Sequence, residues 1–216
     1  MTLTVALSKG KLLPGSEALF RRAGLPFPAT DGRRLVVATD GLRFLFVKDM
    51  DVPVYVEHGV ADCGIAGRDV LLETGSDLYQ PLDLRFGRCR LVVARLAGSG
   101  ALPGSSVRVA SKYARVAAAH FRERGITAEV IRLAGSVEIA PGLGLADCIV
   151  DVVETGRTLA DNGLEAVEEV AASSARLIVN RASYHARREE VGRLIAALGA
   201  ASAEPDAVAA AGSVQA

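Results

Sequence analysis

The sequence predicts an α/β protein with two similar lobes, and three observations support this fold class. Short β-rich runs alternate with helix-like segments along the 216 residues, of which 50% are hydrophobic. A loop rich in glycine, serine and proline, "AGSGALPGSS" at 97–106, marks a boundary. The stretch "VEHGVADCGIAGRDVL" at 56–71 is similar to "GLGLADCIVDVVETGRTL" at 142–159. In both stretches a glycine ends a helix, Ala-Asp-Cys enters a strand and Gly-Arg opens another helix. Ligands of open α/β sheets bind beyond the carboxyl ends of strands, so two such lobes predict an interlobe cleft.

The first half of the chain alternates strands with short helices. Gly24 is expected to end the first helix, and the turn at Asp40-Gly41 separates two strands. Residues 52–59 include three β-branched valines, but a helix is predicted there because a strand follows at once. Strands are predicted over 3–8, 35–39, 43–48, 62–67 and 82–96, and helices over 14–24, 52–59 and 68–74.

The second half begins another α/β unit. Gly125 ends a helix, and the Ser136 hydroxyl is expected to cap a short one. The Ala-rich residues 200–216 have little to bury and are predicted to be disordered. Strands are predicted over 107–111, 128–133, 147–153, near 165–171 and 175–180, and helices over 113–124, from Gly156, and over 183–199. We therefore expect lobe I to comprise 1–96 plus about 176–199, and lobe II to comprise 97–175.

Charge and cysteine content exclude several classes of protein. Lys plus Arg number 25 and Asp plus Glu also number 25, so no overall basic field indicates nucleic-acid binding. Cys63, Cys89 and Cys148 form no metal-type pair and no disulfide framework, and buried reduced thiols are expected. No apolar stretch is long enough to span a bilayer, and the first residues lack the order of a signal peptide. We expect a soluble, cytoplasmic protein that binds neither nucleic acid nor membrane.

The segment "DVVETGRTLADNGL" at 151–164 has the composition of a phosphate site. A strand that carries Asp151 near its end, followed by a glycine-containing turn into a helix, presents backbone N–H groups and a positive dipole end. Asp151 and Glu154 are placed to hydrogen-bond ribose hydroxyls, or to meet a metal that a substrate carries. The same letters also suit a threonine-capped helix with surface carboxylates. The candidate phosphate ligands are Thr155, Gly156, Arg157 and Thr158.

The residues upstream favour the phosphate site. From Glu138 the chain reads "EIAPGLGLADCIVDVVETGRTL", which resembles the signature of the ATP phosphoribosyltransferases, the enzymes of the first step of histidine biosynthesis. A spaced match over 22 residues is more specific than a lone glycine-rich loop. "VALSKGKL" at 5–12 and "DVPVYVEHGVADCGIAGRDVL" at 51–71 resemble two further stretches, so similarity covers roughly residues 3 to 195. The residues that fill the signature are Glu138, Gly144, Ala146, Ile149, Asp151, Val152, Thr155, Gly156, Thr158 and Leu159.

The resemblance implies a fold and a reaction. The fold is two-lobed, like that of type II periplasmic binding proteins. The reaction transfers phosphoribosyl from phosphoribosyl pyrophosphate (PRPP) to N1 of the adenine of ATP and releases pyrophosphate. Mg²⁺ is implied as the cofactor, carried by PRPP and not held by the protein alone. This displacement passes through an oxocarbenium-like state and needs positioning and charge neutralisation, not a protein nucleophile. The absence of an obvious Ser-His-Asp or Cys-His set in the sequence fits that demand.

The expected site joins cations for pyrophosphate to a set that binds PRPP. Lys9, Lys48 and Arg33 are the expected catalytic cations, with Arg34 as the alternative to Arg33. The family commonly has arginine where this chain has Lys48. Lysine keeps the positive charge but cannot make the two parallel hydrogen bonds that a guanidinium makes to an anion. Asp69 is the expected contact on the ATP side or orders a loop, although an aspartate at a helix N-terminus explains it equally. The expected PRPP-binding residues are Gly10, Lys11, Glu138, Asp151, Glu154, Thr155, Gly156, Arg157, Thr158 and Leu159.

The length of the chain also bears on function. After Leu198 only the Ala-rich tail follows, so the chain resembles the short form of the family, which lacks a C-terminal regulatory domain. The resemblance then implies a separate regulatory subunit related to histidyl-tRNA synthetase, which carries feedback inhibition by histidine. It also implies a hetero-octamer of four catalytic and four regulatory chains, built around homodimers of this one.

Two other functions are open at the level of sequence. The same fold serves solute-binding modules and effector domains of regulators. A solute receptor would need export, and a regulator would need a DNA-binding helix-turn-helix. Neither kind of protein requires the sequence "DVVETGRTL". A type I phosphoribosyltransferase places two adjacent acids after its strand and reads Thr-Gly-Gly-Thr. Here two valines separate Asp151 from Glu154, and Arg157 replaces the second glycine. We expect an ATP phosphoribosyltransferase, with a non-enzymatic module that binds a small ligand as the alternative.

Overall fold

The computed structural model describes residues 2–29, 34–102 and 104–203, which fall into two compact α/β units. The strands are β1 (Leu3–Ser8), β2 (Val36–Ala38), β3 (Leu42–Val47), β4 (Cys63–Gly67), β5 (Tyr79–Asp83), β6 (Cys89–Leu96), β7 (Ser106–Ser111), β8 (Thr127–Arg132), β9 (Cys148–Val153), β10 (Leu164–Ser173) and β11 (Ala175–Val179). The helices are α1 (Leu13–Arg22), α2 (Val52–Glu57), α3 (Arg68–Thr74), α4 (Ala114–Glu123), α5 (Arg157–Asp161), α6 (Arg181–Ala186) and α7 (Arg188–Ala203). Among the described residues, no helix combines the length and apolar character that crossing a membrane requires.

The first unit is built on a six-stranded sheet in the order β2-β3-β1-β4-β11-β5. β1 is parallel to both β3 and β4, and all six of its residues are buried, as is typical of a central strand in a parallel sheet covered on both faces. The edge-to-face pair of Phe20 on α1 and Phe44 on β3, with ring centroids 5.5 Å apart, lies in the core. α7 packs against α1 and contributes Val191, Leu194 and Leu198 to the same core.

The second unit is built on a five-stranded sheet in the order β10-β6-β9-β7-β8. β7 is parallel to β8 and β9, and β6 is antiparallel to β9 and β10. One of its core clusters joins Ala110 on β7, Ile149 on β9 and Leu159 on α5. The short helix α5 is therefore held against the sheet by its one buried leucine.

The boundaries of the units differ from those expected. The first unit comprises Met1–Ala66, Asp77–Phe86 and Ala175–Ala216, and the second comprises Gly67–Ser76 and Gly87–Ser174. The predicted single strand over 82–96 is two strands, β5 and β6, which belong to different sheets. Arg85 and Gly87 have φ of 63° and 60°, left-handed values that turn the chain between the two strands. Residues 87–96 thus belong to the second unit, not to lobe I.

Two predicted helices also differ from the structure. The helix expected over 183–199 is the pair α6 and α7, interrupted at Arg187, whose φ of −126° is not helical. The guanidinium of Arg187 donates to Asp62 at 2.9 Å and to Glu190 at 2.7 Å, so long-range contacts fix the break. Ser136 makes no capping hydrogen bond and has a left-handed φ of 53°. The helix α7 continues to Ala203, and the rest of the predicted disordered tail lies outside the described residues.

The Ala-Asp-Cys sequence shared by the stretches 56–71 and 142–159 occupies the same topological position in both units. Asp62 precedes β4 and donates its backbone N–H to the carbonyl of Thr4 at 2.9 Å, while its carboxylate accepts from the N–H of Thr4 at 2.8 Å. Asp147 precedes β9 and makes the same exchange with Arg108, at 2.8 and 2.7 Å. Each aspartate therefore joins two parallel strands where they begin, which explains why Ala-Asp-Cys recurs.

Candidate active site

The loop that joins β9 to α5 carries the polar residues of the signature. Asp151 is half-buried near the end of β9, and one of its carboxylate oxygens accepts from the N–H of Val152 at 2.8 Å. Gly156 directly precedes α5 as its N-cap and has a φ of +82°, a conformation that strains any residue with a side chain. Leu159 is only 5% exposed and anchors the loop to the core of the second unit. The exposed residues of the loop and of the first turn of α5 are Glu154, Thr155, Arg157 and Thr158.

Contacts within this loop leave its hydroxyl and guanidinium groups available to a ligand. The Thr155 hydroxyl accepts from the N–H of Arg157 over a long 3.4 Å. Asn162 holds the backbone carbonyl of Thr158 at 2.9 Å, so this contact does not use the threonine hydroxyl. Arg157 and Asp161 are 3.7 Å apart and both exposed, and such a pair adds little stability. The Arg157 side chain can therefore turn toward an anion at small cost.

The remaining signature residues build the scaffold of this loop. Gly144 has a φ of +73°, which favours glycine, while Ala146 and Ile149 are buried in the core cluster that also holds Leu159. Glu138 is half-buried in a 3-10 turn, Val137–Ile139, that packs against β9. The signature thus combines residues that shape the loop with polar residues that the loop presents.

The expected cations of the first unit lie at the carboxyl ends of two adjacent strands. Lys9 follows β1, Lys48 follows β3, and these parallel strands pair Ser8 with Val47. The N–H of Lys9 donates to the carbonyl of Val47 at 3.1 Å, which places the two lysine backbones side by side. The Ser8 hydroxyl accepts from the N–H of Gly10 at 3.0 Å and fixes the turn that precedes Lys11. The side chains of Lys9, Lys11 and Lys48 are exposed.

The arginines expected near these lysines are less defined. Arg33 lies outside the described residues, and its role stays a prediction. Arg34 is exposed and precedes β2.

Asp69 is part of a buried hydrogen-bond network in the second unit. Its carboxylate accepts from the hydroxyl of Ser173 at 2.7 Å and from the hydroxyl of Tyr113 at 2.8 Å. The Ser173 hydroxyl in turn accepts from the N–H of Asp69 at 3.0 Å. Asp69 is 8% exposed, and both of its oxygens have partners. These contacts favour the loop-ordering role of Asp69, and its contact with ATP stays a prediction.

Tyr113, Ser173 and Ser111 were not indicated by any pattern in the sequence. Tyr113 is 44 residues from Asp69 and Ser173 is 104 residues away, so no local spacing reveals the network. The Ser111 hydroxyl donates to the carbonyl of Val150 at 2.5 Å and accepts from the N–H of Tyr113 at 2.8 Å. It therefore ties the end of β7 to the residue that precedes Asp151.

The cysteines are not placed for chemistry. Burial is the main cause that raises the pKa of Cys63 to about 12, and the negative charge of the neighbouring Asp62 adds to it. Burial, with a smaller contribution from the charge of Asp147, likewise raises the pKa of Cys148 to about 12. Both thiols stay protonated at neutral pH, and Cys89 is half-buried. Within the described ranges, no group of three or more His, Cys, Asp or Glu side chains is arranged to hold a metal ion.

Comparisons with known proteins identify relatives of this chain. The HisG family profile, described as ATP phosphoribosyltransferase, matches residues 48–200. An ATP phosphoribosyltransferase of Anaeromyxobacter dehalogenans is 52% identical over 211 residues, which cover 95% of this chain and 96% of the relative. One of Geobacillus kaustophilus is 48% identical over 207 residues, covering 94% of this chain and 100% of the relative.

Solved structures show the same relationship. The ATP phosphoribosyl transferase (HisG:HisZ) complex of Thermotoga maritima matches with a TM-score of 0.84 at 35% identity, covering 93% of this chain and 98% of that one. The periplasmic aliphatic sulphonate binding protein of Escherichia coli matches with a TM-score of 0.58 at 13% identity, over 94% of this chain and 72% of that one. The second likeness concerns the fold alone and confirms the predicted periplasmic-binding-protein-like class. With the gap-free signature and relatives of about half-identical sequence, the chain belongs to the ATP phosphoribosyltransferase family.

Proposed function

We propose that this protein transfers phosphoribosyl from PRPP to N1 of the adenine of ATP and releases pyrophosphate, as the first step of histidine biosynthesis. The observation that carries this proposal is the signature from Glu138 to Leu159. Its Thr155 and Thr158 are exposed on the loop and the first turn of α5 that follow Asp151, and its buried apolar residues and Gly144 hold that loop in place. A solute-binding module does not require this combination of exposed polar residues and buried residues that shape the loop. The alternative of a non-enzymatic module is therefore not favoured.

The loop supplies what binding of PRPP requires. The first turn of a helix leaves N–H groups without helical partners, and the turn at Gly156 lets the backbone approach a phosphate closely. The hydroxyls of Thr155 and Thr158 and the guanidinium of Arg157 complete a cradle for the 5′-phosphate. Asp151 and Glu154 accept hydrogen bonds from the ribose hydroxyls and thereby orient the anomeric carbon.

The lysines supply charge for the leaving group. As the bond from N1 of adenine to the anomeric carbon forms, the bond to pyrophosphate breaks and its electrons leave with the oxygen. Lys9, Lys48 and Lys11 meet the negative charge that develops there, and Arg33 is assigned to the same role from its sequence position alone. Preorganised cations at such a point are a large part of what an enzyme contributes to catalysis.

Mg²⁺ fits this donor set as a shared ion. It prefers oxygen ligands and binds through one or two carboxylates together with substrate phosphates. Asp151 and Glu154 are the carboxylates that would add to ligands provided by PRPP, as the alternative to their hydrogen bonds with the ribose hydroxyls. The bound ion would neutralise charge on the diphosphate, and the residues described above would hold the sugar and the leaving group in position.

We infer the assembly from the relatives. The Thermotoga maritima structure is titled as a HisG:HisZ complex, and the Geobacillus kaustophilus relative is matched over 100% of its own length. We assign to this chain a homodimer within a hetero-octamer whose regulatory subunit resembles histidyl-tRNA synthetase. Because ATP and PRPP are cytoplasmic metabolites, we also assign the protein to the cytoplasm.

A spectrophotometric assay tests the proposal. The purified chain is incubated with ATP, PRPP, Mg²⁺ and pyrophosphatase, first alone and then with the synthetase-like subunit of the same genome. We expect product only when ATP and PRPP are both present, and a higher rate with the subunit. A folded protein that forms no product under either condition would instead be a binding module that has lost the chemistry.

A further inference from the structure

The Ser-Lys turn of the first unit recurs in the second unit. In the first unit, Ser8 ends β1 and its hydroxyl accepts from the N–H of Gly10 at 3.0 Å, so the turn encloses Lys9. In the second unit, Ser111 ends β7 and its hydroxyl accepts from the N–H of Tyr113 at 2.8 Å, so the turn encloses Lys112. Both strands are flanked by two parallel neighbours in their sheets. Lys112 is therefore the counterpart of Lys9.

The register of the sheet brings Lys112 level with Asp151. β7 and β9 are parallel and pair Ala110 with Ile149 and Ser111 with Val150, so Lys112 and Asp151 are the residues that directly follow the last paired positions. Adjacent strands are about 4.8 Å apart, well within the length of a lysine side chain. Because side chains alternate along a strand, Asp151 lies on the same face of the sheet as Ile149. Lys112 follows the last residue of β7 and lies in the turn that the Ser111 hydroxyl closes.

The helix α5 contributes to the same core. Ala110 on β7, Ile149 on β9 and Leu159 on α5 lie in one core cluster, and α5 packs against β10 of the same sheet. The loop from Glu154 to Thr158 begins directly after β9, the strand that is paired with β7 up to Ser111 and Val150. The backbone of Lys112 therefore lies at the same edge of the sheet as the start of this loop, whose expected ligand is a phosphate.

The backbone at Lys112 is fixed from both sides. The Ser111 hydroxyl also donates to the carbonyl of Val150 at 2.5 Å, and the Tyr113 hydroxyl donates to Asp69. Ser111 and Tyr113 are both buried, while Lys112 between them is half-exposed. Two anchored neighbours hold the backbone of Lys112 in place, which lowers the entropic cost of binding a ligand.

We propose that Lys112 is a PRPP-binding residue of the second unit and that its ammonium group pairs with the 5′-phosphate held by the loop from Thr155 to Thr158. This inference rests on the function proposed above. The two Ser-Lys turns then divide the work, since Lys9 meets the pyrophosphate and Lys112 meets the 5′-phosphate. A compact, mobile ammonium suits a phosphate that already has amides and hydroxyls around it.

Calorimetry on the full chain tests this inference. Binding of PRPP and of ribose 5-phosphate is measured for wild type, Lys112→Met, Lys112→Arg and a control, Arg122→Met, which removes one exposed charge near the other end of α4. We expect Lys112→Met to bind both ligands roughly tenfold more weakly, the effect of losing one hydrogen bond to a charged group. Affinity for pyrophosphate should stay unchanged, and Lys112→Arg should recover most of the loss.

A second readout separates charge from structure. Removal of an ion pair with phosphate should make PRPP affinity less sensitive to added salt, whereas a purely structural defect would leave that sensitivity unaltered. Equal PRPP affinities of wild type and Lys112→Met would overturn the inference, as would a loss confined to pyrophosphate. If Lys112→Met does not fold, Lys112→Gln takes its place. If the folded wild-type chain binds no PRPP, the proposed function fails together with the role of Lys112. If wild type binds PRPP and Lys112→Met binds it equally well, only the role of Lys112 fails.

Discussion

At the scale of single residues, the candidate site separates groups that shape the loop from groups that face a ligand. Gly144 and Leu159 belong to the first kind, because one needs a left-handed backbone and the other is buried. Thr155 and Thr158 belong to the second kind, because both are exposed. Substitutions of the two kinds should therefore fail in different ways, the first by loss of stability and the second by loss of affinity.

Thr158→Ala tests the cradle directly. We expect it to weaken PRPP binding by on the order of 1–3 kcal/mol, because a hydrogen bond to a phosphate oxygen is lost. Its stability should be nearly unchanged, since Asn162 holds the backbone carbonyl of Thr158 and not the hydroxyl. Calorimetric titration with PRPP measures the effect, with the exposed Thr127 on β8 changed to alanine as the matched control. An unaltered affinity would remove Thr158 from the site.

Asp69→Asn tests the buried network. An asparagine offers one acceptor where the carboxylate offers two, and its amide would face the hydroxyl donor of Ser173 or Tyr113. We expect the free energy of unfolding to fall by about 1–3 kcal/mol, measured in urea, with little change in the KM for ATP. Tyr113→Phe, which removes one donor and adds no new polar group, should cost less. A stable Asp69→Asn variant with a raised KM for ATP would instead place this carboxylate at the substrate.

At the scale of elements, the two aspartates that precede β4 and β9 tie parallel strands together. Asp147 is the more exposed case, and its pair with Arg108 at 2.8 Å lies at the start of β7. The guanidinium of Arg108, followed by its backbone N–H, holds the pKa of Asp147 below its usual range. A carboxyl that is more acidic in the folded state stabilises that state above its unfolded pKa, which is about 3.9, and loses this effect as pH falls through the folded value.

Asp147→Asn should therefore be less stable than wild type at pH 7, and the difference should narrow in acid, below about pH 4. The amide keeps an acceptor for the backbone N–H of Arg108 but has no charge to titrate. Urea unfolding of both proteins at neutral pH and below pH 4 measures the two differences. A constant difference across this range would show that the charge of Asp147 does not contribute to stability.

Local patterns predicted most elements, and the exceptions have identifiable causes. The helix over 52–59 was predicted correctly despite its β-branched residues, because a strand had to follow immediately. The break within 82–96 was missed because Arg85, a residue that does not usually adopt a positive φ, makes the turn. The break at Arg187 was missed because Asp62, 125 residues away, binds its guanidinium.

The candidate site shows the same limit. A contiguous motif indicated the loop from Asp151 to Leu159, since its residues follow one another along the chain. The network around Asp69 joins residues from three distant segments, and only folding brings them together. The Ser-Lys repeat was visible in the sequence, but its meaning depends on the pairing of Ser111 with Val150.

At the scale of the whole molecule, the described residues are fully assigned to two α/β units, and these ranges hold no third regulatory domain. Inhibition by an end product requires a site whose occupancy changes the affinity or activity of another site. If a separate subunit carries the histidine site, sensitivity to histidine must depend on assembly. It should not be a property of this chain alone.

We therefore expect the isolated chain to keep the same rate when histidine is added, and the mixture with its synthetase-like subunit to be inhibited. Sedimentation of the mixture should show a species with four chains of each kind. Because coupling between binding sites is reciprocal, saturating PRPP should weaken histidine binding by the same factor by which histidine weakens PRPP binding. Paired titrations on the assembled complex measure both factors. Inhibition of the isolated chain by histidine would place the effector site within these two units and would contradict the short-form assignment.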